Sequence, residues 1–125
     1  MNFFSFPPFD GIRGGKRLQW NRGEKAMEHS VNGKILTVFL HGEIDHHTAA
    51  DLRRQIDLLV LQYSPVSLIL DFSGVDFCDS SGIAIVLGRY RLMRSLGGEV
   101  ELTRLPAAVS HIFDLADLRR LVKIG

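Results

Sequence analysis

The sequence predicts a single α/β domain: a small mixed β-sheet with an N-terminal hairpin, parallel crossovers and packed α-helices. Three observations predict it. Asn32-Gly33 separates two strand-like runs, a strong two-residue hairpin signal. Residues 66–72, Val-Ser-Leu-Ile-Leu-Asp-Phe, form the almost unbroken apolar stretch typical of an interior strand. Around these strands, apolar residues recur at helical spacing, and strands alternating with helices imply parallel crossovers.

The elements follow in order. Glu28–Val31 and Lys34–Leu40 make the hairpin. Asp45-His46-His47-Thr48 opens a helix with Asp45 or Thr48 as cap, and Ala49, Leu52, Ile56, Val60 and Tyr63 form its buried stripe. Ser64-Pro65 ends it. After the interior strand comes Asp79-Ser80-Ser81-Gly82, then a second helix with Ile83, Val86, Leu87, Tyr90 and Met93 inward and Gly97-Gly98 as its stop. Glu99–Thr103 reads as a strand. Pro106 fits the first turn of a third helix with Val109, Ile112, Phe113 and Ala116 inward, and Leu121–Ile124 as a last short strand. The order is β-β-α-β-α-β-α-β.

Residues 27–125 are the predicted domain, and residues 1–26 differ from it. They hold Phe3, Phe4, Phe6 and Phe9 around Pro7-Pro8, then a glycine-rich basic stretch without helical or strand periodicity, read as an irregular extension. Met27 directly precedes the first strand, so this extension is expected to be a leader ahead of the true start. Arg13, Lys16, Arg17, Arg22 and Lys25 against Asp10 and Glu24 give it +3. The whole chain carries +1, so the domain itself is mildly acidic at −2. Gly11 to Lys16 resembles a phosphate loop, but its spacing is one residue short and no Ser or Thr follows the lysine.

Bulk composition narrows the function classes. An apolar share of 46% with 23% charged residues is ordinary for a globular domain of 125 residues. The near-neutral charge gives no argument for nucleic acid. Cys78 is the single cysteine, which excludes a disulfide framework and fits a reducing, cytoplasmic setting. No apolar run approaches the roughly 18 residues of a membrane span.

The most informative residues are Asp79-Ser80-Ser81-Gly82. They present two hydroxyls at a helix N-terminus, where several backbone N–H groups lack intrahelical partners. A serine there can cap the helix, attack a substrate or be phosphorylated. Attack is disfavoured: the G-x-S-x-G elbow is absent, and an acidic neighbour opposes a developing oxyanion. No catalytic residue is predicted, and no enzyme. His46 and His47, beside Asp45, point different ways from a helix start, unlike an i, i+4 metal pair, so no metal or other cofactor is predicted. Cys78 reads as a packing group before a redox sensor. Arg89, Arg91 and Arg94 form a basic run that is either a solvated face or a partner surface.

Gly42-Glu43-Ile44-Asp45-His46-His47-Thr48-Ala49, then Asp79-Ser80-Ser81-Gly82, then Leu87-Gly88-Arg89-Tyr90 and Gly97-Gly98-Glu99 resemble the STAS-domain anti-sigma-factor antagonists, most narrowly their sporulation branch. The resemblance runs from about Met27 to the C-terminus. It implies the STAS fold and a regulator of transcription without catalysis of its own. Such a protein binds an anti-sigma factor that is an ATP-dependent serine kinase, and thereby releases a sigma factor. The kinase, which carries the ATP, phosphorylates the first serine of the turn, here Ser80, and a serine phosphatase removes the group. Ser81 matches the second serine, which supports the site.

The partner-binding set implied is Asp45, His46, His47, Asp79, Ser80, Ser81, Gly82 and Arg89. The alternative is a STAS scaffold in a stress-signalling or lipid-transport complex without a phospho-switch. Relatives often continue into a further helix beyond the position of Gly125. A face which that helix covers is expected here to lie open, or to be covered by the phenylalanine-rich extension.

Overall fold

Six residues of β1 (Met27–Asn32) pair antiparallel with β2 (Ile35–Ile44), joined at Asn32-Gly33-Lys34, where Gly33 takes φ +63°. This computed structural model describes residues 27–125, so the readings for residues 1–26, including the basic charge and the phenylalanine cluster, lie outside the described residues. Strand β3 (Ser67–Cys78) joins β2 in parallel, β4 (Glu99–Thr103) joins β3, and β5 (Lys123–Ile124) joins β4. The sheet order is β1-β2-β3-β4-β5, one mixed sheet with parallel crossovers. Helices α1 (Ala49–Tyr63), α2 (Ser81–Ser95) and α3 (Ala107–Leu115) make the connections. A 3-10 turn at Leu118–Arg120, unmarked in the sequence, leads into β5.

Alternation along the strands decides where the core lies, because successive side chains point to opposite faces. Leu36, Val38 and Leu40 on β2, Leu68, Leu70 and Phe72 on β3, and Val100 and Leu102 on β4 are all buried. Helix α1 brings Ala49, Leu52, Ile56 and Val60 into this core, as its sequence stripe predicts, while Tyr63 is half-buried. Helix α3 adds Val109 and Phe113, and the Phe113 ring meets Phe72 edge-on at 5.4 Å between centroids. That geometry suits aromatic quadrupoles and adds to the area both rings bury.

The structure differs from the sequence reading in several places, and the last strand is shortened to Lys123–Ile124. Strand β2 runs to Ile44 and β3 to Cys78, because each is the other's backbone partner along this length. Two register shifts, near His41 and near Gly42, interrupt the alternation and hide the pairing from a period-2 search. Gly42 sits at φ +74° with open space around its Cβ position, so the backbone angle alone calls for glycine there. Helix α2 turns Gly82, Ile85, Val86, Arg89 and Met93 inward, leaving Ile83, Leu87 and Tyr90 half-buried. Residues 83–87 are apolar all round, so spacing could not fix the rotation of this helix. Pro106 precedes α3 as its N-cap instead of lying in its first turn.

Helix ends otherwise behave as read. Ser64 closes α1 in the left-handed conformation, its N–H donating to the Val60 carbonyl. At the end of α2, Gly97 takes φ +83° and the Gly98 N–H donates to the Met93 carbonyl at 2.7 Å. A Cβ on Gly98 would lie 2.8 Å from the Val66 carbonyl oxygen, so the second glycine admits a close backbone crossing.

Candidate functional site

The C-terminal ends of β2 and β3 lie side by side and carry the two loops singled out in the sequence. Ile44 and Cys78 are register partners, and the Asp79 N–H donates to the Ile44 carbonyl at 3.1 Å. That bond ties the Asp45–Thr48 turn to the Asp79–Gly82 turn. Two segments separated by thirty residues of chain are thereby brought to one end of the sheet.

The first turn is held by reciprocal side-chain bonds. Asp45 Oδ1 accepts from the His47 N–H at 2.9 Å and from the Thr48 N–H at 3.1 Å. Thr48 Oγ1 accepts from the Asp45 N–H and donates to the Glu43 carbonyl, both at 3.1 Å. Desolvation alone would raise the Asp45 pKa. The Thr48 and His47 N–H groups, helped by the nearby His47 and His46 rings, outweigh it and hold this carboxyl below the ordinary value. Thr48 is the formal N-cap of α1 but makes no side-chain cap bond, so Asp45 is the residue that ties off the entry. His46 and His47 are exposed, their rings 4.0 Å apart. Among the described residues, no cluster of His, Cys, Asp and Glu could hold a metal ion.

The second turn assigns the capping task. Asp79 Oδ1 accepts from the Ser81 N–H at 2.7 Å, and its carbonyl accepts from the Gly82 N–H at 3.0 Å. Asp79 therefore satisfies the first two donors of α2, those of Ser81 and Gly82. Ser80, the formal N-cap, is exposed and its side chain makes no cap bond. Ser81 is half-buried. Of the three roles open to Ser80 in the sequence, capping is taken by its neighbour. Its hydroxyl is left facing solvent at the positive end of a helix of 15 residues.

Beneath the turn, Cys78 and Gly82 are both buried and in tight contact, with Phe113 beside them. Burial, reinforced by the Asp79 carboxylate and only partly offset by the Gly82 N–H, pushes the Cys78 thiol up to about 11. A thiol so held is protonated at neutral pH and is a packing group.

Arg89 is not brought to this surface. It is 7% exposed, turned between α1 and α2 with Nε 2.8 Å from Asp57 Oδ1, an ion pair whose angles fall short of a directed hydrogen bond. Burial pulls its pKa down, Asp57 raises it and Arg53 lowers it. Its placement is that of a helix-packing residue. Periodicity missed this, because charged residues are normally assigned outward. Sequence reasoning also passed over Phe77, an aromatic residue half exposed at the end of β3. Its signal was present: the adjacent Cys78 faces the core, so Phe77 has to face away.

Residues 26–125 match the STAS domain family. The anti-sigma F factor antagonist of Paenibacillus polymyxa is 34% identical over 98 residues, covering 78% of this chain and 82% of that protein. Two solved structures share the architecture. The anti-sigma factor antagonist SpoIIAA in its unphosphorylated form superposes with a TM-score of 0.70 at 28% identity, covering 80% of this chain and 88% of that one. The phosphorylated form of SpoIIAA, a Bacillus cell fate determinant, gives 0.64 at 27% identity over 80% of this chain and 91% of its own. The chain belongs to the STAS-domain family and, within it, to the anti-sigma-factor antagonists, which are regulatory proteins. No helix among the described residues is long and apolar enough to cross a membrane.

Proposed function

We propose that this chain is an anti-anti-sigma factor switched by phosphorylation at Ser80. Unmodified, it docks through the Asp45 and Asp79–Gly82 turns on an anti-sigma factor that is itself a serine kinase carrying ATP, and the sigma factor is freed. The kinase then transfers the γ-phosphoryl group to Ser80 Oγ, the hydroxyl proton leaves, and ADP is released. A serine phosphatase hydrolyses the ester and restores the binding form. The setting is transcription control in the cytoplasm, in sporulation.

The observation that carries this reading is the division of labour between Asp79 and Ser80: the aspartate caps the helix, and the serine hydroxyl stays exposed. Phosphorylation adds about −1.5 to −2 charges. The helix N-terminus offsets part of the repulsion from Asp79, so the fold tolerates the group. The partner, by contrast, has to hold nucleotide phosphates against this hydroxyl. A dianion at the same point meets like charge and resists desolvation. Support also comes from SpoIIAA, which is known in phosphorylated and unphosphorylated forms.

The test is incubation of the purified chain with its cognate anti-sigma factor and ATP, followed by mass-spectrometric mapping. Phosphate on Ser80, with loss of binding, is the expected result. Phosphate elsewhere, or on Ser80 without loss of binding, overturns the proposal.

A further inference from the structure

We infer that Phe77 and the carboxylates around it are a second docking element beside the Ser80 turn, made for a basic protein surface with an apolar pocket. The inference rests on the docking reading above and names what the partner has to offer. Phe77 is 50% exposed on the last turn of chain before the site, and its register partner on β2 is Glu43, also exposed. With Cys78 packed into the core, the Phe77 ring stands on the opposite face of the sheet. An aromatic ring left in water here forgoes much of its burial free energy, and such rings are enriched where partners dock.

Apart from His46 and His47, the ionisable side chains of the two turns at this end of the sheet are acidic. Segments 35–52 and 66–88 contain no Lys or Arg, yet at this end of the sheet they carry Glu43, Asp45, Asp76 and Asp79. Asp76 is exposed and skipped by the β2 pairing, which passes from Val75 to Phe77. An apolar ring rimmed by carboxylates fits a pocket rimmed by Lys or Arg, and such complementarity steers association. Reach allows the ring and the hydroxyl to meet one partner. Three residues of chain span at most about 11 Å, whereas a standard interface covers about 800 Å² on each side. A protein seated over Ser80 is within reach of Phe77. The two parts act differently: the acidic rim and ring supply affinity, and Ser80 supplies the switch.

The experiment measures binding of the full chain and its Phe77→Ala, Glu43→Lys and Ser80→Asp variants to the purified cognate anti-sigma factor, at low and high salt. Phe77→Ala is expected to bind about 30-fold more weakly or worse, as truncation of an interface anchor does. Its melting and its circular dichroism should match the unmodified chain. Glu43→Lys should slow association and flatten the salt dependence. If Ser80→Asp loses binding while Phe77→Ala keeps it within about twofold, the switch stands and this inference falls alone. If the unmodified chain does not bind the anti-sigma factor, both fall. A fall in melting temperature of Phe77→Ala with unchanged affinity would assign the ring to this chain's own packing. Self-association that Phe77→Ala abolishes would assign it to a second copy. Either result overturns the inference.

Discussion

A β-carbon on Gly82 would overlap the sulfur of Cys78, so the floor of the serine turn is closed by one glycine and one thiol in contact. The glycine answers to space: a side chain there requires the Cys78 sulfur to move, while Phe113 ring atoms lie at ordinary contact, 3.6 and 3.7 Å from that β-carbon position.

Gly82→Ala should therefore destabilise the fold by about 1–3 kcal/mol through overpacking. Cys78→Ala in the same chain vacates the overlapping volume and should return part of the loss. Urea unfolding of the two single variants and the double variant gives the coupling. Simple additivity would show that the sulfur is not the obstacle.

Ser80→Asp should weaken binding to the anti-sigma factor by about tenfold or more, roughly 1.4 kcal/mol. Its melting temperature should stay within a few degrees of the unmodified chain, since the side chain makes no cap bond. Ser80→Ala should bind and resist release by ATP. Calorimetric titration and thermal melting separate these effects.

Asp71 is 3% exposed, bound by the Ser73 hydroxyl at 2.7 Å, the Ser73 N–H at 2.9 Å and Arg104 Nε at 2.8 Å. Burial would raise its pKa, but Ser73 and then Arg104 outweigh that and lower it. A carboxyl depressed in the fold stabilises above its unfolded value, near 3.9, and loses that contribution as pH falls through the folded value. The urea midpoint should therefore be insensitive to this residue from pH 7 to about 5 and fall below about 4. Asp71→Asn should make that fall shallower. Arg104→Ala should cost about 1–2 kcal/mol at pH 7, moderated by the exposure of the arginine.

Across α1 and α2, Asp57 reaches solvent while Arg89 does not, so the two halves of the pair should respond unequally. Asp57→Ala leaves a buried guanidinium with Arg53 nearby and should cost about 1–3 kcal/mol. Arg89→Met keeps the packing volume without the charge and should lie within about 1 kcal/mol of the parent. Chemical denaturation of both variants tests this. Loss of partner binding in Arg89→Met with unchanged stability would restore Arg89 to the docking surface.

The thiol gives a simpler measurement. With its pKa at about 11, Cys78 should react slowly with iodoacetamide in the folded chain at pH 8, and at the ordinary rate in urea. Because the raised value favours the neutral form, its stabilising share is complete below about pH 8.5 and is lost as pH rises toward 11. Rapid labelling of the native chain at pH 8 would show that the turn opens.

Much of this molecule could be read from residue order. Asn32-Gly33, the stripe from Ala49 to Val60, the stop at Gly97-Gly98 and the serine turn are local features, set by bonds within a few residues. The α1 stripe was legible because polar residues flank Leu52 and Ile56, which sets the face before the apolar run at residues 58–61. The α2 face was not, because residues 83–87 offer no polar contrast. The full lengths of β2 and β3 were hidden by register shifts that only the paired strand reveals.

By itself the sequence determined the order of elements, the place of the turn between β3 and α2, and the family whose motifs it carries. Local propensity and hydrophobic period act over a few residues, and these features need nothing more. Only the tertiary structure decided that Arg89 turns inward to Asp57 and that Phe77 stands beside Glu43. Those outcomes depend on which neighbours compete for each polar group and each unit of volume, and the neighbours exist only once β2, β3, α1 and α2 have packed together.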